Sequence, residues 1–245
     1  MVSDRSEKEL ENPLKEAIPL KGWRKVMADY MLRSHLDCAE VTQMREVDAT
    51  EMMKLRQSLV SDIEAKHGIR VSYTHLLLKA AAQALRQHPM INSSLVEGEI
   101  RVLEDINIAM AVNLENGGLL APVIRQVDQI SVIEVARRAS TLVEQIRARR
   151  FKLDVLKGGT FTVSNAGMYG TDFVTVLITP PQSAALGVGR IQAKPVVRDG
   201  QIVIRSMMGL SLTYDHRVFA GATAAMFFAT LQELIENPKK LNLGI

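Results

Sequence analysis

From Trp23 the apolar residues Trp23, Val26, Met27, Tyr30 and Met31 recur at i, i+3, i+4, i+7 and i+8, the period of a helix. A second helix is predicted from Asp48, with Glu51 completing a capping box, Met52, Leu55, Leu59 and Ile63 as its apolar stripe, and Gly68 as its stop. A third runs from about Ser72 to His88, rich in Leu and Ala around Lys79, and ends before Pro89. The pattern then changes to alternation. Ile106, Ile108, Met110 and Val112 predict a strand, and Asn116-Gly117-Gly118 a turn before a second strand over Leu119–Ile124. Val132, Val135, Ala136, Ala139, Leu142, Val143 and Ile146 mark one face of a long helix. Strands follow at Thr160–Ser164 and Ala184–Val188, then a hairpin turning at Asp199-Gly200 between Pro195–Val197 and Ile202–Ile204. A last strand, Leu210–Tyr214, leads into Asp215-His216-Arg217, and a helix over about Ala222–Ile235 precedes Pro238. No repeat or long linker divides residues 21–245, so one α/β domain with a mixed sheet is expected, preceded by a flexible arm over residues 1–20.

Composition narrows the classes. Of the 245 residues, 47% are apolar and 23% charged, which excludes wholesale disorder. No apolar run approaches the ~18–20 residues that cross a bilayer, and the charged start lacks a secretory core, so a cytoplasmic protein is expected. Thirty Lys+Arg against 27 Asp+Glu leave a net +3, mostly interleaved, and aromatics are only 4%. Neither feature fits a nucleic-acid binder. The densest basic cluster, Arg147, Arg149, Arg150 and Lys152, closes a predicted helix and complements its dipole. A single cysteine, Cys38, excludes an internal disulfide and any multi-cysteine metal site.

Candidate chemistry is sparse. Gly187-Val188-Gly189 lacks the third glycine of a dinucleotide loop, and Gly158-Gly159 precedes a strand; both read as turns. His67 and His88 end helices and read as surface groups that complement the dipole. His75 sits early in an apolar helix, and His35 in a polar loop near Cys38, where a Cys–His pair is conceivable. His216 differs, because it lies where a strand meets a helix and its ring can face a cleft. There it suits a general base, since imidazole titrates near neutral pH. The residues alone equally allow a structural histidine that bonds local carbonyls.

Residues 161–189, FTVSNAGMYGTDFVTVLITPPQSAALGVG, and 211–225, SLTYDHRVFAGATAA, resemble the acyltransferase core of the dihydrolipoamide acyltransferase component of 2-oxo acid dehydrogenase complexes. The likeness extends to GWRKVMADYM, LLLKAAAQALRQHPMINSSL and INIAMAVNLENGGLLAPVIR, and so covers residues 21–245. It implies a chloramphenicol-acetyltransferase-like fold, a homotrimer with active sites at subunit interfaces, and association of trimers into cages. Its reaction is acyl transfer between a dihydrolipoyl thiol and coenzyme A, with no metal. The family histidine falls on His216 and the family serine on Ser164. The quoted residues hold no lipoyl domain, so the lipoyl group is expected from another domain or chain, alongside dehydrogenase-complex subunits as partners. SNAGMYGTDF with ITPPQ looks more like acetyl-transferring members, which implies an acetyl or other short acyl group.

The chain also departs from that family. The family motif runs His, three residues, Asp or Asn, Gly, whereas here His216-Arg217-Val218-Phe219 is followed by Ala220-Gly221. In relatives the acidic residue braces the active-site loop, often through an arginine, for which Arg24 and Arg217 are the candidates. Ala39-Glu40 stands where Pro-His is common, and Asp29 and Tyr30 where basic residues are. These drifts favour a short stand-alone chain over a core cut from a longer one. They also motivate two alternatives: a core scaffold with weak or no catalysis, and acyl transfer to another small-molecule acceptor.

Overall fold

The computed structural model describes residues 15–114 and 118–245, so most of the arm and the Asn116-Gly117 part of the predicted turn lie outside the described residues. The chain opens with α1 (Trp23–Asp37) and β1 (Glu40–Asp48), followed by α2 (Thr50–His67) and α3 (Tyr73–Gln87). A hairpin of β2 (Ser93–Val96) and β3 (Glu99–Val102) precedes the short strands β4 (Ile108–Met110), β5 (Val112–Asn113), β6 (Leu119–Leu120) and β7 (Val123–Ile124). Then come α4 (Val132–Arg147), β8 (Phe161–Asn165), β9 (Ala184–Arg198), β10 (Gln201–Asp215) and α5 (Gly221–Glu236).

Six strands form one mixed sheet in the order β1-β10-β9-β8-β4-β7. β8 is parallel to both β4 and β9, while β1 with β10, β10 with β9 and, at the far edge, β4 with β7 are antiparallel pairs. Side chains alternate between the two faces. Phe161, Leu186, Leu212 and Tyr214 turn to the face that α5 covers, where Phe161 meets Phe227 at 6.0 Å between ring centroids. Thr42, Thr213, Thr162, Ser164 and Gly187 share the opposite face.

That second face is made of small residues because backbone crosses it. A Cβ on Gly189 would fall 1.8 Å from the carbonyl oxygen of Asp172, one on Gly209 2.2 Å from the same oxygen, and one on Gly187 2.4 Å from that of Val174. Gly187 and Gly189 are therefore strand positions pressed by a neighbouring chain segment, not the turn expected from the sequence. Gly158, with φ +78°, does turn.

Other boundaries moved for local reasons. α2 begins at Thr50, not Asp48: Asp48 ends β1, and its Oδ1 takes the Thr50 N–H at 3.0 Å. Gly68 stops the helix at φ +64° as expected. The strand expected over Ile106–Val112 breaks at Ala111, whose N–H goes to Val163 O at 2.9 Å. The one expected over Leu119–Ile124 breaks at Pro122, which has no N–H to give. The helix over Trp23–Asp37 forms, but Val26 and Leu36 stay 69% exposed, so α1 buries little of its apolar surface on its own chain.

Candidate functional site

His216 follows β10, and its backbone N–H donates to Ala39 O at 2.9 Å. Its ring is exposed and lies 5.8 Å, tilted 31°, from the ring of buried Tyr214, which stacks on Phe219 at 5.1 Å. Beside it, Asp215 is 2% exposed and its carboxylate is fully engaged. Oδ1 accepts the N–H groups of Ala39 (3.3 Å) and Arg217 (3.0 Å), and Arg217 forks onto the carboxylate through Nε (2.9 Å) and Nη2 (2.6 Å). Burial would raise the Asp215 carboxyl, but the hydrogen bonds and charge of Arg217 outweigh it and hold it below the usual carboxylate range. Arg217 Nη2 also donates to Asp37 O, at the end of α1.

Ala220 is the N-cap of α5, with φ −86°, ψ 165° and no side-chain cap; only its carbonyl enters the helix, accepting from Thr223 at 3.1 Å. Gly221 follows where a Cβ would come within 3.0 Å of Gln43 Nε2, an amide that donates to Gly221 O at the same distance.

Ser164 sits half-buried on β8. The next residue shapes this end of the strand: Asn165 Oδ1 accepts the Gly167 N–H at 2.9 Å, and Nδ2 donates to Thr74 Oγ1 of α3 at 3.0 Å. Sequence reasoning missed Asn165. The Ser-Asn-Ala-Gly order, which suits an Asn side chain closing onto the backbone two residues on, was the signal for it.

The register separates the two candidates. Ser164 faces Gly187, and Gly187 faces Ser211. His216 stands five residues past Ser211, towards the N-terminal end of β8. With about 3.3 Å per residue and about 4.8 Å between strands, Ser164 and His216 of one chain lie roughly 19 Å apart. They do not meet within one chain.

Among the other histidines His35 lies near this end: Glu40, beside its ring, pairs with Asp215 across β1 and β10. His35 belongs to the last turn of α1, not a loop, and its Nδ1 lies 3.5 Å from Glu40 Oε2. The Cys38 thiol is pushed up to about 11 by burial, with Asp215 and Glu40 adding to it, which is the opposite of an activated nucleophile. His88 is lowered by burial and pairs with Thr230 Oγ1 at 2.7 Å, so it links α3 to α5 instead of supplying charge to a helix end. His75 is the second half of a capping box: its Nδ1 accepts the Ser72 N–H at 3.1 Å. Gln182, of the Pro180-Pro181-Gln182 turn, is buried between Thr162 Oγ1 (2.7 Å) and Gly159 O (3.1 Å), a structural role. Among the described residues no three His, Cys, Asp or Glu side chains gather as a metal-holding group, and no helix is long and apolar enough to cross a membrane.

Comparison with known proteins gives a consistent picture. The 2-oxoacid dehydrogenases acyltransferase (catalytic domain) family matches residues 12–243. The succinyltransferase component of the 2-oxoglutarate dehydrogenase complex of Haemophilus influenzae is 35% identical over 93% of this chain and 56% of that protein. The acetyltransferase component of the Bacillus subtilis acetoin cleaving system is also 35% identical, over 93% of this chain and 57% of that protein. The chain thus spans about half the length of the curated relatives it matches. Among solved structures, the cubic core of a pyruvate dehydrogenase multienzyme complex superposes with TM-score 0.92 at 33% identity, covering 98% of this chain and 99% of that one. Azotobacter vinelandii dihydrolipoamide acetyltransferase, studied for the role of a serine, a histidine and an asparagine in its catalytic mechanism, gives 0.88 at 34%, covering 94% and 98%. Chloramphenicol acetyltransferase gives 0.52 at 13%, covering 91% and 100%, a likeness of fold alone.

Proposed function

Because this chain belongs to the 2-oxoacid dehydrogenase acyltransferase family, through its catalytic domain, we propose that it moves an acetyl or other short acyl group between coenzyme A and a dihydrolipoyl thiol. The observation that carries this reading is His216 held at a rigid strand end, together with Ser164 at the opposite end of the same sheet. The serine and histidine studied in the Azotobacter enzyme are separated along their chain by the same interval as Ser164 and His216, and its asparagine falls where Ala220 stands.

A thiol with a pKa near ~8.5 is mostly protonated at neutral pH, so His216 takes its proton as the sulfur attacks the thioester carbonyl. Negative charge then builds on the carbonyl oxygen. The Ser164 hydroxyl donates to it, and such a donor is worth about 3–4 kcal/mol in the transition state. The proton held by His216 passes to the departing thiolate, and no covalent acyl-enzyme forms. Since the two backbone positions lie roughly 19 Å apart in one chain, the site requires Ser164 from one copy and His216 from the next. A closed ring supplies this, and a homotrimer, with trimers associating into a cage, is the proposed assembly. The lipoyl group comes from another domain or chain, and dehydrogenase-complex subunits are the proposed partners.

The acyl group is proposed as acetyl on the likeness of SNAGMYGTDF and ITPPQ to acetyl-transferring members. Formation of acyl-dihydrolipoamide from acetyl-CoA or succinyl-CoA tests it: the acetyl substrate has the higher kcat/KM, and a clear preference for succinyl-CoA refutes the assignment. Ala220 favours a second reading, a scaffold with weak or no catalysis, which predicts stable assembly and no turnover with either substrate.

A further inference from the structure

We propose that Asp215 and Arg217 are the positioning residues of His216, supplying the rigidity that alanine at position 220 cannot. The inference rests on His216 acting as the base.

The geometry ties three elements into one knot. Ala39, between α1 and β1, is gripped from both sides: its N–H goes to Asp215 Oδ1 at 3.3 Å, and its carbonyl takes the His216 N–H at 2.9 Å. Arg217 closes the knot by bridging the buried carboxylate to Asp37 O at the end of α1. The Asp215 carbonyl also accepts from Val218 at 2.9 Å and from Phe219 at 3.4 Å, so the turn after His216 hangs on the same residue. Ala220 has only a methyl group and adds no tie. Asp215, 2% exposed, is a buried carboxylate that needs the planar fork of arginine; lysine can offer charge but not two parallel N–H donors. Without the fork, the backbone that bears His216 is free to shift, and a displacement near 1 Å costs about a hundredfold in rate.

The test is a double-mutant cycle on acyl transfer between acetyl-CoA and dihydrolipoamide, with His216→Ala alongside. Asp215→Asn and Arg217→Met each lower kcat about 30- to 100-fold while KM for both substrates stays within about twofold, and Arg217→Lys loses about tenfold. The double variant falls no lower than the worse single one, because each change unties the same knot. Arg217→Lys decides the matter should the uncharged variant fail to fold. Folded single variants within threefold of the parent kcat, or losses that multiply, overturn the brace while leaving the catalytic reading intact. An unaffected His216→Ala removes the base itself, and with it anything to position.

Discussion

A mixture of two inactive variants should be active. Ser164 pairs with Gly187 and Gly187 with Ser211, and His216 lies five residues further along β10. This register fixes the intrachain separation at roughly 19 Å, several times the reach of a hydrogen bond. In the proposed ring each site therefore takes its serine and its histidine from different copies. Ser164→Ala alone should lose about 10²–10³-fold in kcat, and His216→Ala about 10²–10⁴-fold. When the two are unfolded, mixed in equal amounts and reassembled, about one interface in four joins an intact Ser164 to an intact His216. Activity then rises from ~1% or less for either variant to about a quarter of the parent, read as thioester formed from acetyl-CoA and dihydrolipoamide. Activity equal to the mean of the two separate variants would refute the reasoning, since it would mean that no site is shared between copies.

Stability offers further checks. Burial lowers His75 from 6.5 to about 4, so between those values the unfolded chain binds a proton that the folded chain does not. This contribution to stability is whole above about pH 6.5 and falls away towards pH 4, by about 3 kcal/mol at most. Chemical denaturation across that range should show the fall, and His75→Gln, which keeps an acceptor for the Ser72 N–H, should flatten it. Ala220→Asn adds the missing cap of α5 and should raise stability by about 1 kcal/mol, or the midpoint by about 2–4 °C; an unchanged melt contradicts the cap. Gly189→Ala places a methyl carbon 1.8 Å from Asp172 O and should cost about 2–4 kcal/mol in the same assay.

Helices with strong period were legible in the sequence, and so was the hairpin at Asp199-Gly200, whose residues take φ +50° and +75°. β1 was not. It carries Gln43 and Arg45 towards α5, where Gln43 bonds Gly221 O at 3.0 Å and Arg45 bonds Gln232 at 3.0 Å, so its inward face does not read as apolar. The β2–β3 hairpin was missed because β3 is exposed throughout, although Glu97-Gly98, with φ +53° and +80°, supplied a turn. β9 and β10 run to 15 residues each, because the expected hairpin arms Pro195–Val197 and Ile202–Ile204 continue without a break into the expected strands Ala184–Val188 and Leu210–Tyr214. His216 stood out by its strand-to-helix context. Its distance from Ser164 did not, because that distance depends on the register of three strands, which no local pattern carries. The buried fork of Arg217 on Asp215 was equally hidden: the sequence places the residues two apart and says nothing of Ala39 and Asp37 closing the knot from the other end of the chain.

In the proposed reaction His216 drives coenzyme A-dependent acyl transfer in spite of Ala220. That role is tested most directly by thioester formation from acetyl-CoA and free dihydrolipoamide, with the parent protein beside His216→Ala. A catalytic His216 means turnover in the parent and a loss of at least ~100-fold in the variant. Equal turnover in both, or none in a folded and assembled parent, would contradict it.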